Sequence, residues 1–265
     1  MEVAARLPLL LLSRLRRVVE TEHILTVTGG WDELIEVVRS RPIDVVVADP
    51  RVDGTVRTVE LRALLGRYPT LPMVLYTSLS PESLRATVEL AQCGAHHVVL
   101  RGFDDEPARF RELLGRLPAC RLSELVLQGL GTYLDEGPPL LKRAITQLFE
   151  APHGFQSVKD LALAAGMTRR SLDRWLDRMG LASARTMLLG ARVTRAFYYM
   201  RDPGYLLDDI TKKLGYSSPR LFARQVRAAT GLTPSMLRET VDSEMFMTQV
   251  TALLCRRGGG RGDDL

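Results

Sequence analysis

Six arginines recur at helical spacing in two places along the chain: Arg220, Arg224 and Arg227 behind Pro219, and Arg169, Arg170 and Arg174 about fifty residues upstream. In each place the apolar residues of the same stretch repeat on the opposite side, Leu221, Phe222, Val226 and Ala229 in one and Leu172, Trp175 and Leu176 in the other. The alternation is that of an amphipathic helix, with Arg220, Ala223, Arg224 and Arg227 outward in the later stretch and Arg169, Arg170, Asp173 and Arg174 outward in the earlier one. Clustered guanidinium groups on an open face suit a polyanion such as nucleic acid. A solvated basic surface is the plain alternative.

Both arginine helices need a scaffold, and the flanking sequence supplies the same one twice. Residues 208–214 read as a short helix with Ile210 and Leu214 on one face and two aspartates near its start, where the helix dipole favours negative charge. Gly215 ends it in a left-handed turn, Tyr216 plugs the gap, Ser217 or Ser218 caps the next helix, and Pro219 opens it. Upstream, residues 157–166 repeat the plan: Leu161 and Ala162 pack, Gly166 turns and Thr168 caps. Between the two, residues 183–201 form one helix of roughly 28 Å, with Met187, Leu188, Ala191, Val193, Thr194, Phe197 and Met200 available for packing on both sides. A helix over 139–150, ended by Pro152 and Gly154, precedes the first hairpin. A helix over 239–256 follows the second, with Met245, Phe246, Val250, Leu253 and Leu254 inward. Residues 258–265 lack apolar content and are expected to be disordered, the RGD triplet at Arg261 being chance.

The residues Gly215, Tyr216, Ser217, Phe222, Arg224, the run Thr230-Gly231-Leu232-Thr233-Pro234 and Arg238 resemble the signature of the AraC/XylS family of transcriptional regulators, and residues 157–172 resemble its upstream partner. The resemblance implies two helix-turn-helix units reading successive major grooves of double-stranded DNA. By position in the two motifs, Arg170, Asp173 and Arg174, and Pro219, Arg220, Ala223 and Arg224, would face base edges. Arginine suits guanine there, its fork matching O6 and N7 together. Asp173 can accept from cytosine N4, orient Arg169 or Arg170, or repel a phosphate. Arg169, Ser217, Ser218 and Arg227 would lie at the backbone-contacting edge and set affinity and salt dependence. Trp175 and Phe222 are expected in the core. Thr211 and Val226 depart from the alanine and phenylalanine usual in the family, which implies looser packing of the second unit.

Charge divides the chain as the motifs do. Residues 1–118 carry 15 Lys and Arg against 16 Asp and Glu, whereas residues 138–238 carry 17 against 7, an asymmetry hidden in the overall +5. A basic half joined to a neutral one fits a protein of which one half meets nucleic acid. Cys93, Cys120 and Cys255 form neither a metal-ligand spacing nor a disulfide framework, which suits a reducing cytoplasm. The apolar run over 9–12 is too short to span a membrane or act as a signal core, so a soluble, cytoplasmic protein is expected.

The neutral half alternates strands and helices. A helix over 9–21 with Leu11, Leu12, Leu15, Val18 and Val19 inward is followed by a strand over 24–28, a helix over 31–40, a continuously apolar strand over 43–48 and a helix over 56–68. A strand over 73–77, a helix over 81–93, a strand over 97–100 and a helix over 106–117 complete a doubly wound α/β layer structure. Residues 1–7 make at most a short edge strand, so either the sheet is truncated or the true start codon lies upstream. Ligands gather at the carboxyl ends of parallel strands in such folds, and there stand Asp49, Thr77 and Arg101.

This half resembles a response-regulator receiver, in which an Asp accepts phosphate, a Thr or Ser senses it, a Lys holds it and a pair of acids binds magnesium. Asp49 and Thr77 match the first two places. Arg101 stands at the lysine place, and counting back from Asp49 puts the acidic pair near Val3 and Ala4, where only Glu2 is acidic. A lone carboxylate gives Mg²⁺ too few hard oxygen ligands, so a degenerate receiver is expected. Asp104, Asp105 and Glu106 read as helix N-terminal dipole partners rather than a metal site, and His96 and His97 as strand-entry residues. No Ser-His-Asp or Cys-His arrangement and no glycine-rich phosphate loop appears, so neither an enzyme, a metal nor a cofactor is expected.

The expected architecture is a flavodoxin-like receiver-like domain over 1–118, a helical linker over 119–137 with Leu125, Val126, Leu130 and Leu134 on its apolar side, an all-α AraC-type domain over 138–240, and a C-terminal helix and tail over 241–265. The linker helix can pack within the chain or pair with a second copy. The expected function is sequence-specific DNA binding, with the first domain serving homodimerisation or docking of a protein partner. Two alternatives stay open: a response regulator phosphorylated on Asp49 by a sensor kinase, and an interaction protein whose helix-turn-helix scaffold no longer reads DNA.

Overall fold

The computed structural model describes residues 1–19, 23–52, 54–117 and 120–255. Its contacts divide the chain into two compact units, Met1–Ala119 with Asp202–Asp209, and Cys120–Arg201 with Ile210–Leu265. Among the described residues, no helix is long and apolar enough to cross a membrane. The expectations for Thr21, for residues 258–265 and for the RGD triplet lie outside the described residues.

The first unit runs β1 (Glu2–Arg6), α1 (Leu9–Val19), β2 (Ile24–Val27), α2 (Trp31–Ser40), β3 (Val45–Ala48), the short strands β4 (Arg51–Val52) and β5 (Thr55–Val56), α3 (Thr58–Arg67), β6 (Met73–Thr77), α4 (Pro81–Gln92), β7 (His97–Leu100) and α5 (Pro107–Arg116). Five strands make one parallel sheet in the order β2-β1-β3-β6-β7. Leaving out the β4-β5 hairpin, this is the flavodoxin-like doubly wound order. Alternation along the strands sends Val3, Ala5, Val45, Val47, Val74, Tyr76 and Val99 into one core with Leu11, Leu15 and Val18 of α1 and Phe110 and Leu114 of α5. Ala4, Val46, Ala48 and Leu75, which alternate with these, are equally buried, as strands covered on both faces require.

The first strand departs from expectation. Far from being an edge, β1 is an inner strand: Val3 pairs with both Leu25 and Val45, and Ala5 with both Val27 and Val47. The sheet has five strands with β2 and β7 at its edges, Ile24 of β2 being 62% exposed. The β4-β5 hairpin was not expected either; two residues per strand are too few for an alternation to register. Segment Asp202–Asp209 belongs to this unit through its contacts. Thr70 donates its amide and hydroxyl to the Asp202 carboxylate at 2.9 and 2.7 Å, Gly204 donates to the Arg67 carbonyl at 2.8 Å, and Tyr205 packs on Tyr68.

The second unit is helical: α6 (Arg121–Gly129), α7 (Gly131–Asp135), α8 (Pro139–Glu150), α9 (Val158–Ala164), α10 (Arg169–Arg178), α11 (Ala184–Met200), α12 (Leu207–Lys213), of which only the part from Ile210 on belongs to this unit, α13 (Pro219–Thr230), α14 (Pro234–Thr240) and α15 (Ser243–Leu254). The expected linker helix is broken at Leu130 into α6 and α7, and α6 packs on α8, α11 and α15 of the same chain. Its buried residues are Leu122, Ser123 and Val126; Leu125, about 100° round the helix from Val126, is exposed rather than inward. The helix expected over 239–256 is likewise two. Asp242 leaves the helical region and accepts from the Met245 amide at 2.8 Å, so α15 starts afresh. That restart buries Phe246, Val250 and Leu254 but leaves Met245 half exposed.

The central element is α11, which touches α6, α8, α9, α10, α13, α14 and α15. All seven residues expected to pack on it are buried. Phe197 stacks on Phe246 at 4.1 Å, and Gly190 allows α15 close approach, since a Cβ there would stand 2.6 Å from a Leu254 methyl.

Candidate nucleic-acid interface

Each arginine helix is held by a turn and a cap of the expected kind. Gly166 and Gly215 adopt φ of 64° and 71°, the left-handed turn that glycine takes without Cβ strain. Thr168 then accepts from the Ser171 amide at 3.1 Å to start α10, and Ser218 from the Leu221 amide at 3.3 Å to start α13, with Pro219 in its first turn. Gly231, at φ 75°, closes α13, Thr233 caps α14, and Arg238 donates from Nε to the Met200 carbonyl at 3.0 Å. Tyr216 fills the inter-helix gap, edge-on to Phe222 at 5.3 Å and with its hydroxyl donating to Gln225 at 2.8 Å. Burial pushes the Tyr216 hydroxyl up to about 12, against the opposing influence of Arg192.

With α13 so anchored, Phe222 and Val226 are buried and Leu221 and Ala229 half-buried, which turns Arg220, Arg224 and Arg227 to solvent. These three, with Ser217, Ser218, Ala223 and Thr233, line an open cleft of about 650 Å³. No carboxylate occurs in α13. Thr211 and Val226, the two departures from the family pattern, are buried at 2% and 0% exposure.

On α10, Arg169, Arg170, Asp173 and Arg174 are exposed while Leu172 and Leu176 are buried. Trp175, expected in the core, is only half-buried; its ring lies under the Arg178 guanidinium at 5.1 Å, and the pair shares a small cleft with Ser171 and Arg174. Asp173 accepts from the Ala184 amide at 3.3 Å, a helix-start contact for α11 that none of its three expected roles included. Arg178 was missed by sequence reasoning, although it lies four residues past Arg174 and so continues the same helical face.

The strand ends of the first unit present different chemistry. Asp49 follows β3, is 4% exposed and accepts from the Arg51 amide at 2.9 Å. Burial raises its pKa above the ordinary carboxylate value, with hydrogen bonds from the Arg51 amide and Thr77 working against the rise. Thr77 ends β6 and donates to Ser83 at 3.2 Å; Arg101 follows β7, its amide bonded to the Thr77 carbonyl at 2.9 Å. The count that put an acidic pair near Val3 and Ala4 is corrected by the register. Arg6 pairs with Ala48, and its carbonyl accepts from the Asp49 amide at 3.1 Å, so Arg6 and Leu7 occupy the carboxyl end of β1. A cation stands where magnesium would need carboxylates. Among the described residues, no three His, Cys, Asp or Glu side chains group as a metal site.

Asp105 is also corrected. It is not a dipole partner of α5, which begins at Pro107, but a buried acceptor of the Gly102 amide at 2.7 Å, the Tyr76 hydroxyl at 2.8 Å and the Arg14 guanidinium at 2.6 Å. Burial works to raise its pKa, and these three donors together bring it below the usual range; Tyr76, buried and donating to this carboxylate, is pushed up. Asp104 accepts from the Leu100 amide at 3.3 Å, and His97 opens β7 with its pKa lowered by burial.

Residues 161–240 match the family model described as a helix-turn-helix domain. No curated protein matches the chain. Solved structures with a partial likeness include the Vibrio cholerae chemotaxis protein CheY4, at 16% identity over 44% of this chain and 96% of that one with a TM-score of 0.37. Full-length FixJ from B. japonicum is 16% identical over 91% and 98% of the two chains, with a TM-score of 0.40. NtrX from Brucella abortus is 15% identical over 64% of this chain and 41% of that one, also at 0.40.

Proposed function

We propose that this chain, whose C-terminal unit carries an AraC-type helix-turn-helix domain, is a transcription regulator that lays α10 and α13 into successive major grooves on one face of duplex DNA. The observation that carries the reading is the repeated face itself: each helix is fixed by a left-handed glycine and a hydroxyl cap, and each turns arginines to solvent. On α10, Arg170 and Arg174 face base edges and Arg169 the backbone; on α13, Arg220, Ala223 and Arg224 read bases while Ser217, Ser218 and Arg227 bind phosphates. Between them α11, 17 residues and so roughly 26 Å long, acts as the spacer. The groove repeat it must serve is about 34 Å.

The α/β unit serves assembly or partner docking without phosphorylation at Asp49. What supports this is the company Asp49 keeps: burial that favours the protonated carboxyl, and Arg6 at the end of β1 in place of acids.

Random-duplex selection with the full chain near physiological salt, followed by affinity against salt concentration, tests the DNA reading. A bipartite motif with elements about one helical turn apart and a steep salt slope is the expected result. Enrichment of no sequence would instead favour an interaction protein on a helix-turn-helix scaffold.

A further inference from the structure

We propose that the cleft between the two helix-turn-helix units, floored by α11, is a third DNA surface: it seats the sugar–phosphate backbone that lies between the stretches read by α10 and α13, with Arg185 as a phosphate ligand. The proposal rests on the DNA-binding reading above and extends it to residues outside both reader helices.

The cleft has a volume of about 670 Å³ and is lined by Gln156 and Ser157 at the entry to α9, by Arg185, Thr186 and Arg192 of α11 and by Arg224 of α13, with apolar backing and no carboxylate. Arg224 also lines the open cleft along the outward face of α13, so the two clefts share one guanidinium. Two readers in successive major grooves on one DNA face necessarily bracket the minor groove between them, and its two phosphate strands are what a cleft between the readers meets.

Three arginines lie here, and they divide by what already holds them. Arg192 is engaged: its Nη2 donates to the Phe155 and Gln156 carbonyls at 2.8 and 3.3 Å, and its guanidinium lies over the Tyr216 ring at 5.7 Å. It therefore ties the entry of the first helix-turn-helix to the turn of the second and fixes the width of the cleft. Arg185 and Arg224 are exposed and, among the described residues, have no carboxylate or carbonyl partner.

Arg185 is moreover the second residue of α11, whose first turn contains no acid. A cation is disfavoured at that end of a helix, where the backbone amides and the dipole attract anions. Asp173 accepts from the Ala184 amide and Ser183 from the Thr186 amide, so this helix end is already capped, and an incoming phosphate would meet the Arg185 guanidinium with the Thr186 hydroxyl beside it.

The test uses the full-length protein and the duplex recovered by selection. Arg185→Ala is expected to weaken binding roughly three- to tenfold on matched and mismatched duplexes alike, and to lower the slope of log affinity against log salt by about one, with the selected motif unchanged. Replacing the phosphates midway between the two motif elements by uncharged methylphosphonates is expected to weaken the wild type by a similar factor and Arg185→Ala no further. Wild-type affinity and slope for Arg185→Ala, or additive losses in the methylphosphonate duplex, would overturn the proposal while leaving the two-reader function standing. A changed base preference at one position would also overturn it, since Arg185 would then be reading sequence. If the wild type selects no duplex, the function proposed above fails, and this cleft proposal with it.

Discussion

At the carboxyl end of the parallel sheet, Asp49 is buried and bonded to the Arg51 amide, Arg51 leans on Glu82 at 3.5 Å, and Arg6 closes β1. On α13, Arg220, Arg224 and Arg227 project from a helix without a single acid. Both regions are rich in arginine, and both lie where their folds usually carry function. In the first, backbone and side-chain bonds within the unit already hold the one carboxylate that could react. In the second, the three guanidinium groups are exposed and have no partner among the described residues. What sets the arginine face apart is the absence of internal partners on a rigid frame, rather than residue type or position at a strand end.

The sharpest way to break the comparison is to remove both readers. Arg174→Ala and Arg224→Ala are each expected to weaken binding by about 1–3 kcal/mol and to relax base preference in their own half of the motif. Their combination should leave only salt-sensitive nonspecific binding, read by competition against random duplex. If the double variant keeps the motif, the arginine faces are not the readers.

A smaller effect is expected in the first unit. Asp105→Ala would strand the Tyr76 hydroxyl and the Gly102 amide, and should destabilise that unit by about 2–3 kcal/mol in urea titration. A change within experimental scatter would mean that water replaces the carboxylate and that the strand-end network is not structural. Labelling by a small phosphodonor in Mg²⁺ probes the same region chemically, and no label on Asp49 is expected; a label abolished by Asp49→Asn would restore the phosphorylated alternative.

Much of this was legible in the sequence because local chemistry repeats. Gly166 with Thr168 and Gly215 with Ser218 mark turn and cap, two and three residues apart, and the seven inward residues of α11 follow directly from its period. The continuous apolar run of β3 likewise announced a sheet covered on both faces. Long-range facts were not legible. That β1 is an inner strand depends on pairing with β2 and β3, and the place of Arg6 beside Asp49 depends on register, neither of which a residue count can supply. Asp105 was misread for the same reason: its donors Tyr76 and Arg14 are distant in sequence. The helix break at Asp242 carries no proline or glycine, whereas Leu130 lies between Gly129 and Gly131, a local signal that the apolar period of the stretch outweighed.

The smallest expected effect separates the two aspartates by sign. Asp49 has a folded pKa raised above 3.8, so between that ordinary value and the raised one the folded chain binds more protons than the unfolded chain. Stability from this group is therefore highest below 3.8 and falls as pH rises through the raised value. Asp105, with its folded pKa lowered from 3.8, contributes the opposite slope: its stabilisation is present above the unfolded value and is lost as pH falls through the folded one. Asp49→Asn keeps an oxygen for the Arg51 amide and removes the ionisation, so it should stabilise the first unit at neutral pH, read as a raised Tm. The gain should vanish toward acid, where the wild-type carboxyl is already protonated. A wild-type-minus-variant difference that stays flat with pH would mean that the Asp49 carboxylate is solvated after all, and the contrast between an internally bonded strand end and an arginine face without internal partners would lose its electrostatic half.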